Sequence, residues 1–189
     1  MMKSNFHIIS LTGDIASGKG AVSEILSNRL NYSIYKNGEY FRKLALQHNM
    51  TVKEFNKYCE SHSEIDFQIE NSAKEHARTH DNFIIDARLG WYAIPTSFKV
   101  YLKVDLNEAA RRLLADSTRG KVEQYSSFEN AKSEIAERFK LENERYLKLY
   151  GVKKDDMSNY DLVVDTTHKL PKEVADIIEK EYYAWLKKQ

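Results

Sequence analysis

The chain is short of the residues that make turns. Its seven glycines and two prolines among 189 residues come to about 5%, against roughly 12% in average usage, which excludes a turn-rich all-β design and a flexible linker. Cysteine is nearly absent. The single Cys59 can form neither an intramolecular disulfide nor a cysteine-based metal site, and such a residue is more often a small buried apolar group than a nucleophile. Excess charge is missing as well: 29 Lys+Arg against 28 Asp+Glu leave +1. No global basic field draws the protein to nucleic acid, so a charged ligand must be met by local groups. No stretch reaches the ~18 apolar residues of a membrane span, and the start at Met1–His7 lacks the apolar core of a secretion signal. The expectation is a soluble cytoplasmic protein without a membrane or nucleic-acid partner. The six histidines show no metal-ligand spacing, and nothing signals an oligomeric state. Core material is plentiful, at 42% hydrophobic and 12% aromatic, which suits one domain over residues 1–189.

Apolar periodicity divides that domain into alternating elements. Phe6–Leu11 is a short apolar run ending in Thr12-Gly13, as for a buried strand and a turn. From Lys19 the positions Val22, Ile25, Leu26 and Leu30 recur at helical spacing until Asn31. Tyr32–Tyr35 reads as a second strand. Residues 38–79 are polar and helical, giving two or three helices joined near 49–51 and 61–62. Asn82–Asp86 and Phe98–Val104 read as strands. Asp105 caps a helix carrying Ala109, Leu113 and Leu114. Ile135 to Tyr150 mark a long helix stopped by Gly151. Asp161–Asp165 is a last strand, and Pro171 begins a closing amphipathic helix. This order predicts an α/β domain with a parallel sheet covered by helices on both faces.

The most specific local pattern is Gly13-Asp14-Ile15-Ala16-Ser17-Gly18-Lys19-Gly20, a G-x-x-x-x-G-K loop between a predicted strand and helix. In that setting successive backbone N–H groups and the helix N-terminus converge on phosphate oxygens, and the lysine adds charge for the terminal phosphates. Lys19 is expected to face solvent in the free protein. The usual hydroxyl after the lysine, a direct Mg²⁺ ligand, is replaced by Gly20. That leaves two readings, a protein that binds nucleotide and does little with it, or magnesium resting on nucleotide oxygens and water, with Asp86 at the end of Phe83-Ile-Ile placed as an outer carboxylate.

With this loop, Asn37-Gly-Glu-Tyr-Phe-Arg42, Glu64-Ile-Asp66, Asp86-Ala-Arg88 with Trp91, Arg138 to Tyr150-Gly151, and Asn159–Thr166 in order, the chain resembles the cytidylate kinases of the nucleoside-monophosphate kinase group over nearly its whole length. The resemblance implies a P-loop NTPase three-layer fold with a parallel five-stranded sheet, a helical monophosphate-binding insertion over 38–80 and a lid over 116–137. It implies transfer of the γ-phosphoryl group of ATP, with Mg²⁺, to CMP or dCMP. Lys19, Asp86, Arg138 and Arg145 would then be catalytic, Gly13–Ala21 and Arg119 would hold ATP, and Gly38, Arg42, Asp66, Arg88 and Trp91 would hold the acceptor. Phosphoryl transfer asks for positive charge around a dispersed negative transition state, so the arginines should converge. Arg138 and Arg145, seven apart, fall on one helix face about 10.5 Å apart along the axis.

Several positions depart from the family pattern. Ala21 leaves the loop without a hydroxyl at either position after Lys19, and Ala16 adds a methyl group where glycine is common. Asn71 and Ser72 stand where relatives often carry arginines, and Asn37 and Ala87 flank expected acceptor residues. Two alternatives follow: a nucleotide-binding protein with little turnover, and a kinase acting on a different small molecule. Six of the seven glycines, Gly13, Gly18, Gly20, Gly38, Gly90 and Gly120, fall where this reading puts ligand or motion, and Gly151 ends a helix.

Overall fold

Strands form from the short apolar runs because helices cover both of their faces. In a computed structural model, which describes residues 7–116 and 125–189, these runs are β1 (Ile8–Gly13), β2 (Ser33–Lys36), β3 (Phe83–Asp86), β4 (Phe98–Lys103) and β5 (Leu162–Asp165). They make one sheet in the order β2-β3-β1-β4-β5, with every neighbouring pair parallel. Strand side chains alternate between faces. Ile9, Leu11 and Ile84 therefore join α1 (Lys19–Leu30) and α8 (Pro171–Leu186) in one core around Val22, Leu26, Ile178 and Tyr182. Ile8, Phe83 and Ile85 point the other way, onto Ala73 and Ala77 of α4 (Ser63–Thr79).

Three helices fill the polar stretch after β2: α2 (Asn37–Gln47), α3 (Val52–Tyr58) and α4. They enclose a small core of their own, with Phe41, Ala45, Phe55, Cys59 and Ile69. A reciprocal capping box between Thr51 and Glu54 fixes the start of α3. Cys59 is buried in this core and burial pushes its thiol up to about 12, so it packs and does not react.

On the other side, Asp105 caps α6 (Leu106–Ala115) by accepting from the Asn107 and Glu108 amides. Helix α7 (Phe128–Tyr150) ends at Gly151 with φ 70°. Of the expected lid region 116–137, residues 117–124, including Arg119 and Gly120, lie outside the described residues, and the part from Phe128 onward belongs to α7.

Two short elements escape the periodicity, α5 (Gly90–Ala93) and a 3₁₀ turn at Met157–Asn159, each too short to show a repeat. Helix α5 corrects the reading of Gly90. A Cβ there would lie 3.2 Å from Ile85 Cγ2 and 3.4 Å from Ser10 Cβ, so Gly90 permits close helix–sheet packing and belongs to the core. Strand β1 also ends two residues later than expected, at Gly13. A Cβ on Gly13 would sit 2.4 Å from the Leu102 carbonyl oxygen, which admits only glycine where the chain leaves the sheet.

Candidate functional site

In an open parallel sheet, ligands bind beyond the carboxyl ends of the strands, where neighbouring connections diverge. Strand β1 lies between β3 and β4, and its C-terminal end opens into a cleft of about 380 Å³. The loop after β1 forms the floor. Its Gly18 holds φ 90° at the cap of α1, which has neither a capping side chain nor an acid in its first turn. Helices α2 and α4 also lack a side-chain cap but carry acids in their first turns, whereas α1 has neither and its first amides are left for an external acceptor. Such an end favours an anion.

The loop is held from behind. The Asp14 carboxylate accepts from the Tyr101 hydroxyl at 2.5 Å and from the Val104 amide at 2.9 Å. Asp14 is thus a tether to β4, and the remaining residues of Gly13–Ala21 line the cleft. Ala16 takes φ 60°, a left-handed conformation that costs a residue with a Cβ roughly 1–2 kcal/mol. Arg112 of α6 fixes it in place, donating to the Ala16 carbonyl at 3.2 Å and to the Thr166 carbonyl at 2.7 Å. The sequence reading missed Arg112, because a basic residue beside Glu108 reads as an ordinary helix pair.

Lys19 departs from the expected solvent-facing position. It is half-buried, and its Nζ donates to the Gly13 and Asp14 carbonyls at 3.2 and 3.1 Å. Burial pulls its ammonium down to about 8; Asp86 opposes this, and Arg88 and Lys154 add to it. The loop lysine is therefore poised among other cations and gains from a phosphate that neutralises them.

The cleft wall supplies those cations. Gly38, Arg42, Asp86, Arg88 and Arg138 all line it, as the sequence reading expects. Arg88 is aimed by the β1–β3 pairing: the Ala87 amide donates to Leu11, and Thr12 Oγ1 donates to the Ala87 carbonyl at 3.0 Å. Its guanidinium also lies 5.6 Å from the Phe41 ring centre.

Behind this wall stands Glu142, fully buried. Its Oε1 accepts from Arg88 Nε at 2.6 Å and Arg138 Nε at 3.2 Å, and its Oε2 accepts from Lys154 Nζ at 2.6 Å. Burial works against ionisation of Glu142, but Arg88, Lys154 and Arg138 outweigh it and hold the carboxyl well below its usual range. Glu142 and Lys154 are absent from the sequence-derived set. Glu142 sits four residues from Arg138, as on any solvated helix, and Lys154 reaches it only because the chain turns back after Gly151.

Asp66, Arg145 and Trp91 take other places. Arg145 is 5% exposed and its Nε lies 3.0 Å from Asp66 Oδ2, itself in a residue 4% exposed. Neither atom makes an aligned hydrogen bond, so the contact is an ion pair, and Arg145 Nη1 also donates to the Asn56 carbonyl at 3.0 Å. The seven-residue spacing does not bring Arg145 to the cleft beside Arg138, because its guanidinium is engaged by Asn56 of α3 and Asp66 of α4 instead. Trp91 is buried among Leu89, Tyr146, Tyr92 and Tyr160.

A second hollow of about 390 Å³ adjoins the loop. It shares Ser17, Gly18 and Arg112 with the cleft and continues along Thr166–Pro171. Among the described residues no group of three or more His, Cys, Asp or Glu could hold a metal, and no helix is long and apolar enough to cross a membrane.

Residues 8–168 match the sequence profile described as "Cytidylate kinase-like family". A cytidylate kinase of Thermoplasma volcanium is 38% identical over 90% of this chain and 88% of its own. A protein of Lacinutrix mariniflava named S-adenosylmethionine-dependent nucleotide dehydratase is 30% identical over 92% of this chain but 35% of its own length. Among solved structures, the shikimate kinase of Acinetobacter baumannii in complex with shikimate superposes with a TM-score of 0.60 at 14% identity, covering 94% of this chain and 93% of that one. At that identity the likeness concerns the fold.

Proposed function

The chain belongs to the cytidylate kinase-like family, and from that premise we propose that it transfers the γ-phosphoryl group of ATP to CMP or dCMP, yielding the diphosphate. The observation that carries this reading is the cleft itself, where an uncapped helix end and Lys19 face Arg42, Arg88, Arg138 and Lys154 across about 380 Å³. Transfer between two phosphates needs little covalent chemistry from the protein and much fixed positive charge.

In this account the loop amides and Lys19 hold the donor's terminal phosphates. The hollow along Thr166–Pro171 takes the rest of the donor, next to Ser17 and Gly18. Arg42 and Arg88 hold the acceptor phosphate, and Arg138 offsets charge that develops between the two. Asp66, paired with Arg145, and Trp91, packed beside Tyr146, support the acceptor side from buried positions.

The residues present fit magnesium that arrives with ATP. Neither Gly20 nor Ala21 offers a hydroxyl, and Ser23 Oγ is occupied by the Gly20 carbonyl at 2.9 Å, so the metal's own positions would fall to phosphate oxygens and water, with the Asp86 carboxylate of the cleft as their outer partner. Bound there, the ion would neutralise phosphate charge.

A coupled assay with ATP, Mg²⁺ and CMP, dCMP, UMP or AMP tests the proposal. CMP or dCMP should be turned over in preference to UMP and AMP. Tight ATP binding by calorimetry without product would instead support the reading that the lost hydroxyls leave a binding protein.

A further inference from the structure

We propose that Glu142 and Lys154 are positioning residues that set the geometry and the net charge of the phosphate-binding wall. This inference rests on the proposed reading of the cleft. One fully buried carboxylate holds two arginines by their Nε atoms, at 2.6 and 3.2 Å. Holding both through Nε fixes the rotation of each guanidinium plane, the coordinate that bidentate phosphate recognition requires. A carboxylate shared by two cations leaves a single net positive charge. Lys154 changes that balance, because its ammonium, 1% exposed and 2.6 Å from Glu142 Oε2, adds the third cation and leaves two.

The ammonium is built in rather than trapped. Its Nζ stands 4.8 Å from the Phe139 ring centre, its backbone amide donates to Asn143 Oδ1 at 3.2 Å, and its carbonyl accepts from the Tyr160 hydroxyl at 2.6 Å. Burial lowers its affinity for a proton and Glu142 restores part of it. A buried lysine whose ammonium meets one carboxylate and one ring, whose backbone is pinned on either side, and which lines a cleft is costly as structure alone. Here the cost is offset by an anion in the cleft, so Lys154 contributes most when phosphate is bound.

Charge and geometry can be separated by experiment. Inorganic pyrophosphate, titrated by calorimetry at fixed ionic strength, reads the charge of the wall. Lys154→Met removes one positive charge, Glu142→Gln removes the negative one, and the double variant returns the balance to that of the parent. Lys154→Met should bind pyrophosphate more weakly than the parent, and the double variant, which carries the parent's net charge without depending on a buried ammonium, should regain that loss. Each step should be about tenfold, equivalent to roughly 1.4 kcal/mol.

Turnover reads geometry. Both Glu142 variants should lose kcat at least tenfold whatever their affinity, because the arginines lose their common anchor. Lys154→Arg should recover pyrophosphate binding to within a fewfold of the parent. A folded Lys154→Met with pyrophosphate affinity and kcat within twofold of the parent overturns the proposal, and if Glu142→Gln does not fold, the Lys154 pair decides. Parent protein that transfers phosphate without this ranking sinks only this inference. The ranking without transfer to any nucleotide upholds it and sinks the kinase reading.

Discussion

Removing Asp66 should unfold the protein more readily than removing any cleft arginine, because it strands a buried charge. Asp66 and Arg145 are 4% and 5% exposed and lie 3.0 Å apart, joining α4 to α7. Burial raises the Asp66 carboxyl above its ordinary value in spite of Arg145 and Arg88, so the pair is desolvated on both sides. Breaking such a pair from one side costs about 3–5 kcal/mol, since the remaining ion stays buried without a counter-charge. For a chain of this size that corresponds to a fall in Tm of roughly 6–20 °C. Replacing both partners with apolar residues of similar volume, as in Asp66→Leu with Arg145→Met, should recover most of the loss. The assay is thermal and denaturant unfolding of the two single variants and the pair. A loss below about 1 kcal/mol for Asp66→Ala would show that Arg145 finds water or another anion, and the buried-pair account would fail.

Three further outcomes follow from the same geometry. Burial, with Asp66 adding repulsion, pushes Glu70 up to about 7 from 4.5, so its neutral form stabilises the fold. That contribution is complete below about 4.5 and is lost as pH rises to 7; Glu70→Gln should therefore match the parent near pH 4.5 and exceed it by roughly 3 kcal/mol at pH 8, and equal curves at both pH values would contradict this. Ala16→Gly should stabilise by up to about 1 kcal/mol, as relief of the left-handed strain slightly exceeds the entropy cost of glycine; a clear loss in denaturant midpoint would refute it. Lys19 titrates near 8 in the free protein, and a bound phosphate raises that value. ATP affinity should hold below pH 8 and weaken as pH rises above it, by up to about tenfold per unit, with proton uptake seen by calorimetry in buffers of different ionisation enthalpy. A flat affinity from pH 7 to 9 would contradict the placement of its ammonium.

Much of the fold is legible in the sequence because its elements are long enough to repeat. Val22, Leu26 and Leu30 announce α1, and the αL residue Asn31 ends it; Asp105 and Gly151 punctuate α6 and α7 as their chemistry suggests. Gly90-Trp-Tyr-Ala93 shows no such repeat, and its glycine reads as a ligand position until Ile85 and Ser10 are seen against it. At the site, the loop, Arg42, Arg88, Arg138 and Asp86 are recognisable by motif, and the structure brings them to one cleft. Arg145 shares the spacing that marks Arg138 but not its surroundings, which only the packing of α3 and α4 against α7 decides. Glu142, Lys154 and Arg112 carry no local signal, since each matters through partners from other elements.

Initial rates of nucleoside diphosphate formation from ATP and Mg²⁺, with CMP, dCMP, UMP and AMP as acceptors and Lys19→Ala as the control, test the central claim most directly. The account predicts turnover of CMP or dCMP well above the other acceptors, lost on replacing Lys19. Folded protein that forms no diphosphate with any of the four, or whose activity survives Lys19→Ala, would contradict it.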